Sequence, residues 1–213
     1  MSSRNIDESE RAMSAGRRRT FDKSEALDMA MRVFWENGYS GTSMSDLTEA
    51  LGINKPSLYA AFGNKEQLFE TALNHYMSHY GAPIFERLKE PADAPLSERI
   101  RSYMLGIIDV INNRQSPKGC LFVKSCCEAG STAIPDDISL SLQAMRQANE
   151  RLLTKVVESE QKRGCLSETA KPKDIAEYLL SVLYGLTVQV KQGKSRKELV
   201  RIVDIAINAL PVK

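Results

Sequence analysis

The stretch from Thr42 to Lys65, TSMSDLTEALGINKPSLYAAFGNK, carries the signals of two short helices joined by a tight turn. Ser43 and Asp46 have the S-x-x-D spacing of a capping box, in which each side chain bonds the other's free backbone N–H and so begins a helix. Gly52 ends that helix, because glycine adopts a left-handed conformation without a Cβ clash. Asn54 then provides the cap of a second helix. The stretch therefore predicts a helix, a turn and a second helix.

The second helix of this unit has an inner and an outer face. Leu58 and Phe62 stand four residues apart, so both are predicted to point into the core. Lys55, Ser57 and the ring edge of Tyr59 then remain outside. In a helix-turn-helix unit the second helix enters the major groove of DNA. We therefore predict that Lys55 and Ser57 lie nearest to the base edges.

The ends of the helices are suited to phosphate groups. A helix start presents free N–H groups and a partial positive charge, and Lys65 stands at the start of the next helix. By position, we predict that Thr42, Ser43, Tyr59 and Lys65 hold phosphates. Ser45, on the first helix of the pair, is predicted to reach a base.

The amino-terminal segment, residues 1–16, is polar and has no periodic apolar face, which predicts disorder. Arg17, Arg18 and Arg19 follow it. Such a run is usually a solvated charge cluster, but a basic arm ahead of a helix-turn-helix unit can reach phosphates or the adjacent minor groove. We expect some of these arginines to contact DNA.

The chain from roughly Thr20 to Tyr80 resembles the DNA-binding core of TetR-type (tetracycline-repressor-like) bacterial transcriptional regulators. The resemblance is carried by GINKPSLYAAFGNKEQLF, residues 52–69, and by the pair Gly38-Tyr39. It implies a regulator, usually a repressor, that binds DNA as a dimer. It also implies a cavity among the middle helices, where a small molecule binds, tilts the fourth helix and moves the two DNA-binding units out of register with the operator.

Beyond residue 65 the apolar residues keep a helical period and no alternating strand pattern appears, which predicts an all-α fold of about nine helices. A fourth helix is predicted to run from Lys65 to Tyr80, followed by a proline-containing boundary. We expect residues 17–64 to form the helix-turn-helix domain and residues 65–213 the ligand-binding and dimerisation domain.

The region from Tyr178 to Val190 has apolar residues on more than one face, with Gly185 permitting close approach. This surplus of apolar surface indicates either contact with a partner helix or burial within the same chain. The resemblance implies that the last two helices pair with those of a second subunit in a four-helix bundle. The residues predicted for this interface are Leu179, Val182, Leu186, Val190, Ile202, Val203 and Ala206. A two-fold dimer requires a roughly palindromic operator.

The resemblance implies an effector cavity, and its candidate residues can be proposed from their place on the middle helices. They are Tyr103, Ile107, Phe122, Cys126, Met145 and Tyr178. Each of them fits ordinary core packing equally well. No motif in this region identifies the effector.

The four cysteines, Cys120, Cys126, Cys127 and Cys165, lack C-x-x-C spacing. In a reducing cytosol a structural disulfide framework is not expected. The cysteines fit either small core residues or a thiol or soft-metal sensor. A redox- or metal-sensing repressor is therefore the alternative to a regulator that binds a small molecule.

Composition excludes several classes of function. The net charge is only +2, so contacts with DNA must come from local placement of basic residues. No apolar run of roughly eighteen residues and no signal peptide is present, so we expect a soluble, cytoplasmic protein. The sequence offers no nucleophile with its base, no metal cluster and no phosphate-binding glycine loop, so we predict no enzyme, cofactor or metal. A helical protein-binding adaptor is the remaining rival.

Overall fold

The computed structural model describes residues 22–89, 91, 93–132 and 134–212. The segment 1–16 and the arginines at positions 17–19 lie outside these residues, so what the sequence predicts for them stays a prediction. Within the described residues the regular structure is helical, with one isolated bridge between Leu166 and Val212 and no strand. The all-α prediction is confirmed.

The described helices, in chain order, are α1 Lys23–Asn37, α2 Met44–Leu51, α3 Lys55–Phe62, α4 Lys65–Tyr76, a π-helical turn Met77–Gly81, α5 Ala82–Glu86, α6 Leu96–Ile111, α7 Leu121–Glu128, α8 Asp136–Lys162, α9 Pro172–Lys191 and α10 Arg196–Asn208. Because α4, the π-helical turn and α5 follow one another without a break, the described part of the chain forms nine helical rods, as predicted. None of these helices is both long enough and apolar enough to cross a membrane.

The helix-turn-helix unit is capped as its sequence predicts. Ser43 Oγ accepts a hydrogen bond from the Asp46 N–H at 3.1 Å, and Asp46 Oδ2 accepts one from the Ser43 N–H at 2.7 Å. Asn54 Oδ1 accepts one from the Ser57 N–H at 2.9 Å. Gly52 closes α2 in the left-handed region, with φ of 64°. Since each side-chain cap contributes about 1 kcal/mol, the start of each helix is fixed.

The fourth helix is longer than the sequence predicts. Its predicted end was Tyr80, whereas the helical path continues through the π-helical turn to Glu86. Pro83 lies in the first turn of α5, directly after the π-helical turn. A π-helical turn inside a helix is rare and is frequently found at functional sites.

Two hydrophobic cores organise the chain. The first joins the reading head, which we define as residues 22–64 with helices α1–α3, to α4, α7 and the first turns of α8. The second fills the space between α5, α6, α8, α9 and α10. Because α4 and α7 complete the core of the reading head, movements of these two helices affect its packing. The predicted division between residues 64 and 65 stays a prediction.

A buried ion pair ties α6 to α8. Arg99 Nη2 lies 2.6 Å from Glu160 Oε1, and the side chains are only 6% and 3% exposed. Arg99 Nη1 also donates to the Leu88 carbonyl at 3.0 Å, and the half-exposed Arg163 approaches Glu160 at 2.9 Å. Burial opposes ionisation of Glu160, but the two guanidinium groups outweigh it and lower the pKa of this carboxyl.

We expect Arg99→Met to lower the free energy of unfolding by about 3–5 kcal/mol, because it removes the buried partner of the Glu160 carboxylate. The matched control is Arg163→Met, which removes a half-exposed cation from the same carboxylate and should cost less than about 1 kcal/mol. Urea unfolding at pH 7 and fixed protomer concentration measures both. Equal losses of stability in the two variants would show that Arg99 is not the partner on which the buried Glu160 carboxylate depends.

The same comparison has a pH dependence. Because the folded-state pKa of Glu160 is lowered, its stabilisation is present at neutral pH and is lost as the pH falls. The stability difference between wild type and Arg99→Met should therefore shrink in acid.

Candidate DNA interface and internal cavity

The outer face of α3 is exposed as predicted. Leu58 and Phe62 are buried, while Lys55, Ser57 and Tyr59 are exposed. A short helix with two buried anchors and a polar outer face can enter a groove without losing its contact with the core.

The residues at the start of α2 differ in whether their side chains are available to contact DNA. Ser45 is exposed, and the Ser43 hydroxyl is engaged as the cap of the helix. Thr42 is buried, and its hydroxyl donates to the Gly38 carbonyl at 2.7 Å. Thr42 therefore supports the turn before α2, and its side chain does not lie at the surface where a phosphate would bind.

Lys65, predicted to hold a phosphate, stands at the start of α4 and has contacts within the chain. Its Nζ lies 4.0 Å from the centre of the Tyr39 ring, a cation–π contact. The buried Tyr39 hydroxyl donates to Glu66 Oε1 at 2.7 Å. Burial lowers the pKa of Lys65, although Glu66, Glu128 and Asp46 oppose this shift. These contacts fix the start of α4 against the reading head.

Lys23 is a candidate phosphate contact that the sequence did not reveal. It is exposed in the first turn of α1, and its Nζ lies 5.3 Å from the centre of the Phe62 ring at the end of α3. The two residues meet only in the fold, so no local sequence signal reveals the contact. Lys23 adds a cation at the end of α3.

An internal cavity of about 80 Å³ lies where the path from α4 to α5 meets α6, α7, α8 and α9. Of the predicted cavity residues, Tyr103, Ile107 and Phe122 line it. The wall also includes Tyr76, Cys120, Asn149, Tyr184 and Thr187, which sequence reasoning did not select. They come from four parts of the chain, so their convergence has no signal in the sequence.

The remaining cavity predictions are corrected by the structure. Cys126 and Met145 are partly buried against the core of the reading head and do not line the cavity. Tyr178 is exposed on the outside of α9. In each case the residue stands on a predicted helix, but the helix turns that side chain away from the cavity.

The cysteines are free thiols. Burial raises the pKa of Cys120, although the Tyr76 hydroxyl, which donates to Cys120 Sγ at 3.3 Å, opposes this. Burial also raises the pKa of Cys126 to about 12. A raised pKa reduces the nucleophilic thiolate, so these two residues do not favour a thiol sensor. Among the described residues, no three His, Cys, Asp or Glu side chains lie together in a way that could hold a metal.

Helix α7 connects the cavity wall to the reading head. Lys124 Nζ donates to the carbonyls of Glu36 and, at 3.4 Å, Trp35, at the end of α1. Glu128 Oε2 accepts hydrogen bonds from the N–H and the hydroxyl of Ser40, both at 3.0 Å. The middle and the carboxyl end of this short helix are therefore attached to the end of α1 and to the turn that follows it.

The loop before α7 adds two more connections. Trp35 Nε1 donates to the Gly119 carbonyl at 3.0 Å, and Arg32 Nη1 donates to the Gln115 carbonyl at 2.9 Å. Gly119 precedes Cys120, which lines the cavity. This wall of the cavity is therefore hydrogen-bonded to α1 through the loop before α7.

The residues predicted for a dimer interface are corrected in part. Leu179, Leu186, Val190, Val203 and Ala206 are buried within one chain, because α9 and α10 turn these side chains toward α6 and α8. Val182 and Ile202 are partly buried. Periodicity placed the seven predicted residues on α9 and α10, but five of them face the core of their own chain.

The outer faces of α9 and α10 nevertheless carry apolar side chains. Tyr178 and Val188 are exposed on α9, and Ile205 on α10 is 70% exposed. Gly185 lies between the two α9 residues, and a Cβ added there would meet no atom within 4 Å. We call these four residues the outer apolar face.

Comparisons with known proteins agree with this geometry. Residues 26–72 match the family described as bacterial regulatory proteins, tetR family, and residues 97–206 match the tetracyclin repressor-like C-terminal domain. The chain is similar to the HTH-type transcriptional repressor ComR of Escherichia coli (strain K12), with 31% identity over 93% of each chain. It is also similar to a cysteine mutant of the regulator CifR solved with a 26-base-pair operator DNA. That match has 34% identity and a TM-score of 0.83, and covers 92% of this chain and 100% of the other.

We expect Lys55→Ala to weaken binding to a DNA duplex selected from random sequence by roughly tenfold, as for loss of one base or phosphate contact. Fluorescence anisotropy at several salt concentrations measures the affinity and its salt slope. A slope reduced by about 1 would assign Lys55 to a phosphate, and relaxed sequence preference would assign it to a base. The control is Lys155→Ala, an exposed lysine on α8. Unchanged affinity at physiological salt would remove Lys55 from the interface.

Proposed function

Because the chain belongs to the tetR family of bacterial regulatory proteins, we propose that it is a transcriptional repressor that binds a palindromic operator as a homodimer and leaves it when a small molecule fills the internal cavity. The observation that carries this proposal is the continuous connection from the cavity wall through α7 to the reading head. The proposal assigns no catalytic reaction to the chain.

The DNA contacts proposed for each subunit are few. Lys55 and Ser57 on the exposed face of α3 contact bases, and Ser45 supports them from α2. Tyr59, the helix start at Ser43, Lys23 and Lys65 contact phosphates, as do arginines of the run at positions 17–19. Since the net charge of the chain is only +2, its affinity depends on this local set and falls steeply with salt. The similar regulator CifR, which has been solved with operator DNA, supports the DNA-binding role.

The homodimer forms, in this proposal, through the outer apolar face of α9 and α10. An exposed glycine inside a helix costs about 1 kcal/mol relative to alanine, and a Cβ added at Gly185 would meet only open space. A closely packed helix of a second subunit explains both the glycine and the exposed Val188 beside it. A two-fold axis brings the same face of both subunits together and points both reading heads at the same side of the DNA.

Release requires only that the effector prefer the conformation that does not bind DNA. The cavity is bounded by the π-helical turn on one side and by the start of α7 on the other. A molecule that expands it displaces α4 and α7, both of which complete the core of the reading head. The helix-turn-helix domain, residues 17–64, then moves relative to the ligand-binding and dimerisation domain, residues 65–213.

The repressor proposal is tested by footprinting the purified protein on the DNA that flanks its own gene, followed by selection from random sequence. We expect a protected palindrome with half-sites about one helical turn, roughly 34–36 Å, apart. A single unpaired site, or no enriched sequence after selection, would contradict a dimeric DNA-binding repressor. A protein-binding adaptor would show no DNA affinity for salt to weaken.

We expect Val188→Glu to convert the dimer to monomers, because two carboxylates would face each other across an apolar two-fold contact. The matched control is Leu140→Glu, an exposed apolar residue on α8 that lies outside the proposed interface. Analytical ultracentrifugation measures the mass of each variant. A dimeric Val188→Glu protein would show that the subunits pair elsewhere.

A further inference from the structure

The walls of the internal cavity restrict the charge of what can bind there. Among the described residues that line it, none is an Asp, Glu, His, Lys or Arg. Lys191 and Arg146 act electrostatically on Cys120 and Tyr184, but neither cation lines the cavity. A charged group moved from water into such a space loses its hydration without gaining a partner. The occupant is therefore uncharged where it contacts these walls.

One polar group of the wall is buried without a partner. The Tyr184 hydroxyl has no hydrogen-bond partner among the described residues and is shielded from water. By contrast, the Tyr76 hydroxyl donates to Cys120 Sγ, and the Thr187 hydroxyl donates to the backbone carbonyl of Tyr184. Buried hydroxyls are nearly always paired, so an orphaned one needs an explanation. A hydrogen-bond acceptor on a bound molecule supplies the missing partner.

The protonation state of Tyr184 fits a donor. Burial raises its pKa to about 12, with Cys126 adding to the shift. The phenol therefore keeps its proton throughout the physiological pH range and is available to donate it in a hydrogen bond.

The size of the cavity links binding of the effector to release of the protein from DNA. Its volume is about 80 Å³, whereas a cavity of about 150 Å³ holds a benzene molecule. A ring-sized occupant must push the walls apart. Met77, Tyr80 and Gly81 of the π-helical turn form one of these walls, and Cys120 and Phe122 form another.

We infer that the effector is a small uncharged molecule with an apolar body and a hydrogen-bond acceptor, which receives the hydrogen bond of the Tyr184 hydroxyl. This inference rests on the proposed function, since it names the chemistry of the effector. Carbonyl compounds and ethers of about the size of a six-membered ring belong to this class. Organic anions and acceptor-free hydrocarbons of the same size do not fit it.

The test compares three probes of one shape on the full-length dimer. Cyclohexanone has the acceptor, methylenecyclohexane replaces its oxygen with carbon, and cyclohexanecarboxylate carries a charge. Isothermal titration and ligand-observed NMR measure their affinities. We expect methylenecyclohexane to bind about tenfold more weakly than cyclohexanone, the effect of one hydrogen bond to an otherwise orphaned hydroxyl, and cyclohexanecarboxylate not to bind.

The variant Tyr184→Phe keeps the ring and removes the donor. We expect cyclohexanone to lose about tenfold in affinity, methylenecyclohexane to be unaffected, and resistance to urea to be undiminished, because the hydroxyl has no partner in the unliganded protein. The matched control Tyr178→Phe changes an exposed tyrosine of the same helix and should leave all three probes unaltered. Unaltered methylenecyclohexane binding also shows that the cavity of the Tyr184→Phe variant is intact.

Several results would overturn the inference. They are equal binding of cyclohexanone and methylenecyclohexane, binding of the carboxylate, no binding of cyclohexanone, or a Tyr184→Phe variant that binds cyclohexanone as wild type does. Operator affinity of the same preparation without any probe is measured separately. If the protein binds its operator but the three probes do not bind as expected, only the inferred chemistry of the effector is rejected. If the probes bind as expected but the protein does not bind an operator, the proposed repressor function is rejected.

Discussion

The attachment of α7 to the end of α1 is the constraint on which the rest of the structure depends. The last carbonyls of a helix carry a partial negative charge, and Lys124 Nζ donates to two of them. Glu128 holds the following turn through Ser40. Because protein interiors are close-packed, a helix that is fixed at its middle and at its carboxyl end transmits displacement and does not absorb it. The cavity wall and the reading head therefore share one mechanical element.

The long rod from Lys65 to Glu86 provides a second connection. Its start is fixed to the reading head by the contact between Lys65 and the Tyr39 ring, and its π-helical turn lies in the cavity wall. A π-helical turn interrupts the regular ladder of hydrogen bonds, so the rod is most easily reshaped where an occupant would touch it. An effector shifts the balance between the two arrangements only by the difference in its affinity for them. The small volume of the unliganded cavity provides such a difference in affinity, since a ring-sized molecule fits only the arrangement in which the cavity is expanded.

The sequence predicted the features that depend on local signals. The capping pair of α2, Ser43 with Asp46, determines where this helix begins through contacts between residues three positions apart. The faces of the long helices could not be predicted in this way. Apolar residues surround much of α9, and periodicity alone does not show that Leu179 faces the core while Val188 faces outward. For the same reason the sequence did not place Tyr184 in the cavity wall, because that wall is formed with residues from four other elements.

In the proposed mechanism, the nearly neutral charge of the chain favours release by a small displacement. If one half-site alone binds weakly, useful affinity requires both reading heads at once. Joining two binding sites raises the overall affinity by roughly 10²–10⁴-fold, provided that the geometry allows simultaneous contact. An effector that changes the spacing of the heads removes this gain without disrupting any single DNA contact. The connection through α7 thus needs to move a reading head only far enough to lose register with the second half-site.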